Sequence, residues 1–233
     1  GYDGVELNMA EPLDHKLEQV VSFLEGYELK LSNFASGLTA KTQGLSLSHK
    51  DEEQRQRAVN KVREIIRFLE DSSIGIILGF FKGPKAENQE IARLQFTRSL
   101  SDLLPLAEDK KIPLIIEATN RYESSIANSL EESFELIKEL NSPYARILPD
   151  TYHMNIEEPD LLSPVLAAGN KLGYVHIGES HRGYLGSGSV DFGAFFRGLA
   201  LIGYTGPVVF ESFSSAVVDG NLSNTLGVWR NLW

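Results

Sequence analysis

The chain alternates throughout between short apolar runs and longer segments with helical spacing. The clearest strand is the continuous apolar run 75–80, and the clearest helix covers 51–69, where Val62, Ile65 and Leu69 recur at three- or four-residue spacing. Seven strand–helix pairs can be recognised in this way. Strands are predicted at 5–7, 30–34, 75–80, 114–117, 145–148, 174–177 and 207–210, and helices at 17–24, 51–69, 91–106, 126–140, 161–168, 192–202 and 222–229.

This alternation predicts a parallel sheet that is either covered by helices on both faces or closed into a barrel. A closed (β/α)8 barrel needs eight strands. Because the first residues after Gly1 already read as the approach to a strand, we expect one further β/α unit before Gly1. The alternative is an open doubly wound sheet, but no Gly-x-Gly-x-x-Gly motif follows any strand to support a dinucleotide site. No linker interrupts the pattern, so residues 1–233 are predicted to form one barrel domain.

Charge and composition narrow the partners of the protein. The formal net charge is −10, which disfavours binding to the phosphate backbone of nucleic acids and to anionic membranes. No apolar run approaches the roughly 18 residues of a membrane span. The chain has no cysteine, which excludes disulfides, thiolate nucleophiles and Cys-ligated zinc and fits a cytoplasmic location. Nucleic acids and membranes are therefore not expected partners.

Four predicted strands end in, or contain near their ends, a side chain that can bind a metal. These side chains are Glu117, Asp150, His176 and Glu211. In a barrel the carboxyl ends of all strands meet at one face, where barrel enzymes carry their chemistry. Three carboxylates and one imidazole at one such face would need a cation among them. A mainly oxygen ligand set suits Mn²⁺, Mg²⁺ or Co²⁺ better than structural zinc.

Three segments resemble the ketose 3-epimerases, which include the tagatose and psicose 3-epimerases of the xylose isomerase-like TIM barrels. They are 116–123 (IEATNRYE), 150–158 (DTYHMNIEE) and 176–183 (HIGESHRG), and the likeness continues at 186–192, 211–213 and 227–232. The resemblance implies that Glu117, Asp150, His176 and Glu211 bind one divalent metal, usually manganese. It also implies that both glutamates act as acid and base, and that the protein is a homodimer or homotetramer. By the same resemblance, the residues that hold the sugar are Glu123, His153 and Arg182.

These residue types suit epimerisation of the carbon beside a ketone. A metal that binds the carbonyl oxygen and the neighbouring hydroxyl oxygen stabilises the enediolate, and two carboxylates on opposite sides of the carbon exchange its proton. Several other reactions use the same barrel: aldose–ketose or hydroxypyruvate isomerisation, 4-epimerisation of 3-keto-glycosides and inosose dehydration. An endonuclease IV-like nuclease needs a basic groove and several metal-binding histidines, whereas this chain has five histidines and a negative charge. A catalytically inactive sugar-binding protein is the third alternative.

Two nearby features receive a structural interpretation. Lys82 follows the strand 75–80 and is interpreted as a solvated loop lysine, with contact to an anionic substrate group as the alternative. The glycine-containing segment 178–188 lacks the Lys-Ser/Thr ending of a phosphate-binding loop. It is predicted to be a flexible loop that lets Arg182 close over the substrate.

Overall fold

The computed structural model describes residues 1–72 and 74–212, and within them strands alternate with helices as the sequence predicts. The strands are β1 (Gly4–Asn8), β2 (Lys30–Ala35), β3 (Ile76–Ile77), β4 (Leu114–Glu117), β5 (Ala145–Leu148), β6 (Val175–Ile177) and β7 (Val208–Phe210). The helices are α1 (Leu17–Glu25), α2 (Gly37–Gln43), α3 (Glu52–Phe68), α4 (Gln89–Asp109), α5 (Leu130–Leu140), α6 (Thr151–Glu157), α7 (Ser163–Ala168) and α8 (Phe192–Leu201). The predicted helix at 222–229 lies outside the described residues.

The strands are parallel and follow one another in chain order. Five form the sheet β1-β2-β3-β4-β5, and β6 pairs with β7. Isolated parallel bridges, Ile147 with Leu172 and Asp150 with His176, connect β5 and the residues that follow it to β6 and the segment that precedes it. A doubly wound sheet would reverse its strand order at a switch point, and the described strands show no such reversal. The barrel prediction is therefore confirmed, while the extra unit before Gly1 and the single-domain assignment remain predictions.

Alternate residues of the strands pack into two separate cores. The larger core lies between the strands and the surrounding helices and includes Phe34, Ile76, Leu114 and Ile147. A smaller cluster takes the neighbouring residues on the opposite face of the strands, namely Ala35, Ile77, Ile115, Leu148 and Tyr174, with Val209 packed against them. Since successive side chains of a strand point to opposite faces, this second cluster is the interior of the barrel.

Several of the described helices begin at a side chain that accepts a hydrogen bond from a backbone N–H group. Asp51, Asn88, Ser129 and Asp191 cap α3, α4, α5 and α8 in this way. None of the helices in the described part of the chain is long and apolar enough to cross a lipid bilayer.

Three elements differ from the sequence prediction near the barrel mouth, and one of them is α2, a helix after β2 that was not predicted. The strand predicted at 75–80 is shortened to Ile76–Ile77, and a single 3-10 turn, Phe80–Lys82, follows it. Helix α6, which follows Asp150 directly, was not predicted. Its seven residues are too short for helical periodicity to stand out in the sequence.

Candidate metal centre

The barrel geometry brings the four predicted metal ligands to one point. Each of them lies two residues beyond a member of the interior cluster, so each side chain points into the barrel at its carboxyl end. The pairs are Ile115 and Glu117, Leu148 and Asp150, Tyr174 and His176, and Val209 and Glu211. One ligand atom from each of the four residues lies within 4.8 Å of the others.

The spacing of these atoms fits a single divalent ion. From Nδ1 of His176, the distances to carboxylate oxygens are 3.0 Å to Glu211, 3.7 Å to Glu117 and 3.9 Å to Asp150. Ligand bonds of about 2.0–2.2 Å place two ligands on opposite sides of an ion roughly 4.2 Å apart. The four side chains therefore need only small adjustments to share one cation.

Burial makes the cluster a favourable place for positive charge. Asp150 is completely buried, and desolvation raises its pKa although the neighbouring Arg182 opposes the change. Burial also acts to raise the pKa of Glu117, but the adjacent His176 outweighs it, and the net pKa is lowered. His176 is buried too, which acts to lower its pKa, yet Glu6, Glu117 and Glu211 raise it well above its ordinary value. The raised pKa of His176 reflects the carboxylates around it, a concentration of negative charge that a cation would neutralise.

His176 has one nitrogen engaged and one available. Its Nε2 lies 2.7 Å from Oε2 of Glu6, a residue of β1 that the sequence reasoning missed. Its Nδ1 is buried and has no hydrogen-bond partner among the described residues. Buried polar atoms are almost always paired. An unpaired ring nitrogen among three carboxylates is therefore the arrangement expected of a nitrogen that binds a metal.

The three predicted sugar-binding residues lie beside the cluster. Nδ1 of His153 accepts hydrogen bonds from the backbone N–H and side-chain amide of Asn120, at 3.2 and 2.7 Å. A neutral His153 therefore carries its proton on Nε2, 3.7 Å from Oε1 of Glu117. Glu123 accepts a hydrogen bond from the same Asn120 amide at 3.1 Å. Asn120 thus orients two of the three residues, which the sequence reasoning did not anticipate.

Arg182 reaches directly into the cluster. Its Nη2 donates to Oδ2 of Asp150 at 2.7 Å, and its guanidinium lies over the ring of Tyr152, 4.4 Å from the ring centroid. Nη1 is 3.3 Å from Oε2 of Glu211. The side chain is thus fixed by charge on one side and by cation–π attraction on the other.

The segment that carries Arg182 wraps around a buried carboxylate. Glu179 accepts hydrogen bonds from the backbone N–H groups of Ser180, Gly186 and Val190 at 2.8, 3.0 and 3.1 Å. A side chain at Gly188 would collide with the same carboxylate. These contacts indicate an ordered segment, in contrast to the flexible loop that the glycines suggested.

Lys82 is buried, so the interpretation as a solvated loop lysine is wrong. Its Nζ donates to the backbone oxygens of Glu117 at 2.5 Å and Ala127 at 3.0 Å. Burial lowers the pKa of Lys82 to about 7, although nearby glutamates act in the opposite direction. The side chain ties the end of β4 to the loop that follows it.

A cavity of about 720 Å³ adjoins this region at Glu123. Its walls combine the apolar side chains of Leu45, Phe80 and Ile91 with Lys41 and Lys85. Glu123 is the one predicted site residue that lines it. None of the four converging side chains lines this cavity.

A parallel β/α barrel with three carboxylates and one histidine converging at its carboxyl end is the arrangement of a metal-dependent barrel enzyme. The sequence pattern of the xylose isomerase-like TIM barrel family matches residues 1–231. Two similar proteins are the L-ribulose 3-epimerase of Methylomonas sp. (strain DH-1) and the ketose 3-epimerase of Arthrobacter globiformis. They are 42% and 39% identical to the chain over its whole length, which covers 82% and 81% of theirs.

Solved structures give the same assignment. The D-allulose 3-epimerase from Methylomonas sp. in complex with D-allulose superposes with a TM-score of 0.81 at 37% identity, covering 100% of this chain and 81% of that one. The chain therefore belongs to the ketose 3-epimerases of the xylose isomerase-like TIM barrel family. The resemblance seen in its sequence motifs is confirmed.

Proposed function

We propose that this protein is a metal-dependent isomerase that interconverts ketoses at C3. The observation that carries the proposal is the convergence of Glu117, Asp150, His176 and Glu211, with ligand atoms within 4.8 Å of one another. Two of these ligands are glutamates that can also exchange protons. The relatives named above are ketose epimerases, and one of them has been solved with a ketose bound, which supports the same substrate class.

Glu117, Asp150, His176 and Glu211 would hold the ion. A divalent cation bound there supplies Lewis-acid stabilisation of the negative charge that develops on substrate oxygens as the C3 proton leaves. We propose Mn²⁺, with Co²⁺ or Mg²⁺ as alternatives, because three carboxylates and one imidazole form a mainly oxygen donor set.

Glu117 and Glu211 are proposed as the acid–base pair. They extend from β4 and β7, which are not neighbours in the strand order, so their carboxylates can approach C3 from different sides. One carboxylate removes the proton from one face and the other returns a proton to the opposite face. The direction depends on which epimer is bound.

Glu123, His153 and Arg182 are proposed to hold the sugar. His153 offers its Nε2 proton, and Arg182 offers N–H donors beside Asp150, so both can donate to sugar oxygens. Glu123 can accept from a sugar hydroxyl while Asn120 holds its carboxylate. Fixing the sugar in one orientation places C3 between the two glutamates.

The test is proton exchange with solvent. The Mn²⁺-loaded protein is incubated with D-fructose, D-psicose or L-ribulose in D₂O, and products are examined by NMR. We expect the 3-epimer with deuterium at C3 and no aldose. Glu117→Gln and Glu211→Gln should each lower the rate by about 10²–10⁴-fold, the usual contribution of a general acid or base. Glu11→Gln, an exposed residue outside the site, should leave the rate unchanged.

Other outcomes would assign one of the alternatives. Aldose formation would indicate an aldose–ketose isomerase, and label at C4 of an added 3-keto-glycoside, with none in the ketoses, would indicate a 4-epimerase. Sugar binding without exchange would indicate an inactive binding protein. Each of these results overturns the 3-epimerase proposal.

A homodimer or homotetramer and a cytoplasmic location complete the proposal. They are supported by the family resemblance and by the cysteine-free composition, respectively. Sedimentation velocity of the full chain tests the first, and fractionation of producing cells tests the second. A monomer, or recovery outside the cytoplasm, would contradict them.

A further inference from the structure

We propose that Glu6 is a positioning residue of the metal centre, which fixes the tautomer and the ring orientation of His176. The proposal rests on the proposed cation site but not on the identity of the sugar. It concerns a contact between β1 and β6, two strands that are not neighbours in the sheet. The two residues are 170 positions apart in the chain.

The local geometry of β1 directs Glu6 into the barrel. The pairing of β1 with β2 shifts register between Val5 and Leu7, so Glu6 lies at an irregularity of the strand. Leu7 packs against the larger core between the strands and the helices. Because successive side chains of a strand point to opposite faces, Glu6 points to the interior of the barrel. Its side chain is only 14% exposed. A carboxylate so placed needs a hydrogen-bond donor, and His176 is the donor it meets.

The contact selects one tautomer of the imidazole. An ionised carboxylate only accepts hydrogen bonds, so at 2.7 Å from Oε2 of Glu6 the proton of a neutral His176 belongs on Nε2. Nδ1 then carries a lone pair, and this is the atom that faces Glu117, Asp150 and Glu211. A metal binds only the unprotonated nitrogen, so Glu6 presents the correct atom.

Without Glu6 a competing tautomer becomes available. A proton on Nδ1 would lie close to Oε2 of Glu211, which is 3.0 Å from the nitrogen, and its attraction to that carboxylate would compete with a metal bond. Glu6 raises the free energy of that state because the unprotonated Nε2 would then face a carboxylate at close range. Glu6 therefore disfavours the tautomer of His176 in which a proton on Nδ1 would compete with the cation.

A second contact holds the ring of His176 in the same orientation. The ring of Tyr174 meets it edge to face, with centroids 5.7 Å apart. The Tyr174 hydroxyl is 2.5 Å from Oγ of Ser32, which in turn donates to the backbone oxygen of Val5 at 2.9 Å. Because this chain of contacts ends on the residue before Glu6, β1 supports the imidazole through both its backbone and its side chain.

The experiment measures Mn²⁺ affinity of the metal-free full-length chain by calorimetry. Carboxylates that orient metal-bound histidines typically contribute 10–100-fold to affinity, so Glu6→Leu should weaken Mn²⁺ binding by about that factor. Glu6→Gln keeps an oxygen acceptor for Nε2–H and should stay within a few-fold of the wild-type value. Glu11→Leu removes the same charge from an exposed position and serves as the control.

A spectroscopic readout isolates the tautomer. Long-range ¹H–¹⁵N NMR of the metal-free protein, at a pH high enough for His176 to be neutral, should show a nonprotonated Nδ1 in the wild type and a shift toward the other tautomer in Glu6→Leu. Unchanged affinity in Glu6→Leu, or equal losses in Glu6→Gln and Glu6→Leu, would overturn the proposal. Failure of the wild type itself to bind Mn²⁺ would instead overturn the proposed metal centre. Circular dichroism verifies that each variant is folded.

Discussion

Buried charged side chains determine how the end of β4 is held. Lys82 lies inside the protein and donates to the backbone oxygens of Glu117 and Ala127. The lysine side chain therefore supports Glu117, whose own side chain belongs to the candidate metal cluster. Burial opposes the charge of Lys82, and its pKa falls to about 7. Near neutral pH, Lys82 therefore stabilises the end of β4 through its hydrogen bonds, while the burial of its charge opposes folding.

The depressed pKa of Lys82 predicts a specific pH dependence. In the unfolded chain this lysine keeps its ordinary pKa of 10.5, so between pH 7 and 10.5 the unfolded state binds more protons than the folded state. The contribution of Lys82 to the free energy of unfolding must therefore increase as the pH rises through this window. Below pH 7 both states are protonated and the contribution no longer changes.

Lys82→Met tests this dependence. The variant leaves two buried carbonyl oxygens without their donor, and we expect it to lose about 1–3 kcal/mol at neutral pH. The loss should be larger at pH 9 than at pH 7, because only the wild type gains from the rise. Urea unfolding of both proteins at the two pH values measures the difference, and Lys85→Met, an exposed lysine nearby, is the matched control. A loss independent of pH would contradict the assigned pKa.

Single residues also show what the sequence could and could not reveal. Glu117 and Glu211 were predictable because a carboxylate directly after an apolar strand is a local signal. Glu6 looks the same as any polar residue in a short strand, and its significance depends on His176, 170 positions away. Lys82 was misread because its burial depends on the loop from 118 to 129, which no local pattern describes.

Short elements around the barrel mouth position several side chains of the candidate site. Helix α6 starts at the proposed metal ligand Asp150, whose Oδ1 accepts a hydrogen bond from the backbone N–H of Tyr152 at 2.8 Å. The other oxygen, Oδ2, faces Arg182. One carboxylate thus caps a helix and belongs to the metal cluster, and the helix it starts places His153 beside that cluster. Longer elements such as α3 and α4 were predictable because their apolar periodicity repeats over several turns.

The segment from 179 to 190 gives a prediction at the scale of an element. Arg182 has a positive φ of 55°, a conformation that a residue other than glycine adopts at a cost. Its backbone N–H donates to the backbone oxygen of Glu179, while the Glu179 carboxylate accepts from three N–H groups of the same segment. We therefore expect this buried carboxylate to hold Arg182 in place over the cluster.

Glu179→Gln should loosen this segment without removing a ligand. The amide cannot accept at both of its terminal atoms, so at least one backbone N–H loses its partner. We expect faster hydrogen exchange of the Gly186 and Val190 amides and a KM for ketose raised more than kcat is lowered. Glu131→Gln, an exposed glutamate on α5, is the control. Unchanged exchange at both amides would show that the carboxylate does not organise the segment.

At the scale of the whole molecule, the proposed metal ligands come from distant parts of the chain. They come from β4, from the residues after β5, from β6 and from the end of β7, and Glu6 adds a contact from β1. The backbone pairing between the main sheet and the β6–β7 region consists of isolated bridges in the described part of the chain. A cation bound by all four ligands would therefore fasten the two sheets together at their carboxyl ends.

Metal binding should consequently stabilise the entire fold. A ligand present at 100 times its dissociation constant adds about 2.7 kcal/mol to the free energy of unfolding. For a domain of this size, each kcal/mol raises Tm by about 2–4 °C, so saturating Mn²⁺ should raise Tm by roughly 5–10 °C, and EDTA should reverse the gain.

Asp150→Asn should abolish the shift because it removes a buried ligand. Glu123→Gln should keep the full shift while turnover falls, since Glu123 is assigned to the sugar and not to the ion. Equal shifts in Asp150→Asn and the wild type would mean that Mn²⁺ binds elsewhere, and the assignment of the cluster as the metal centre would fail.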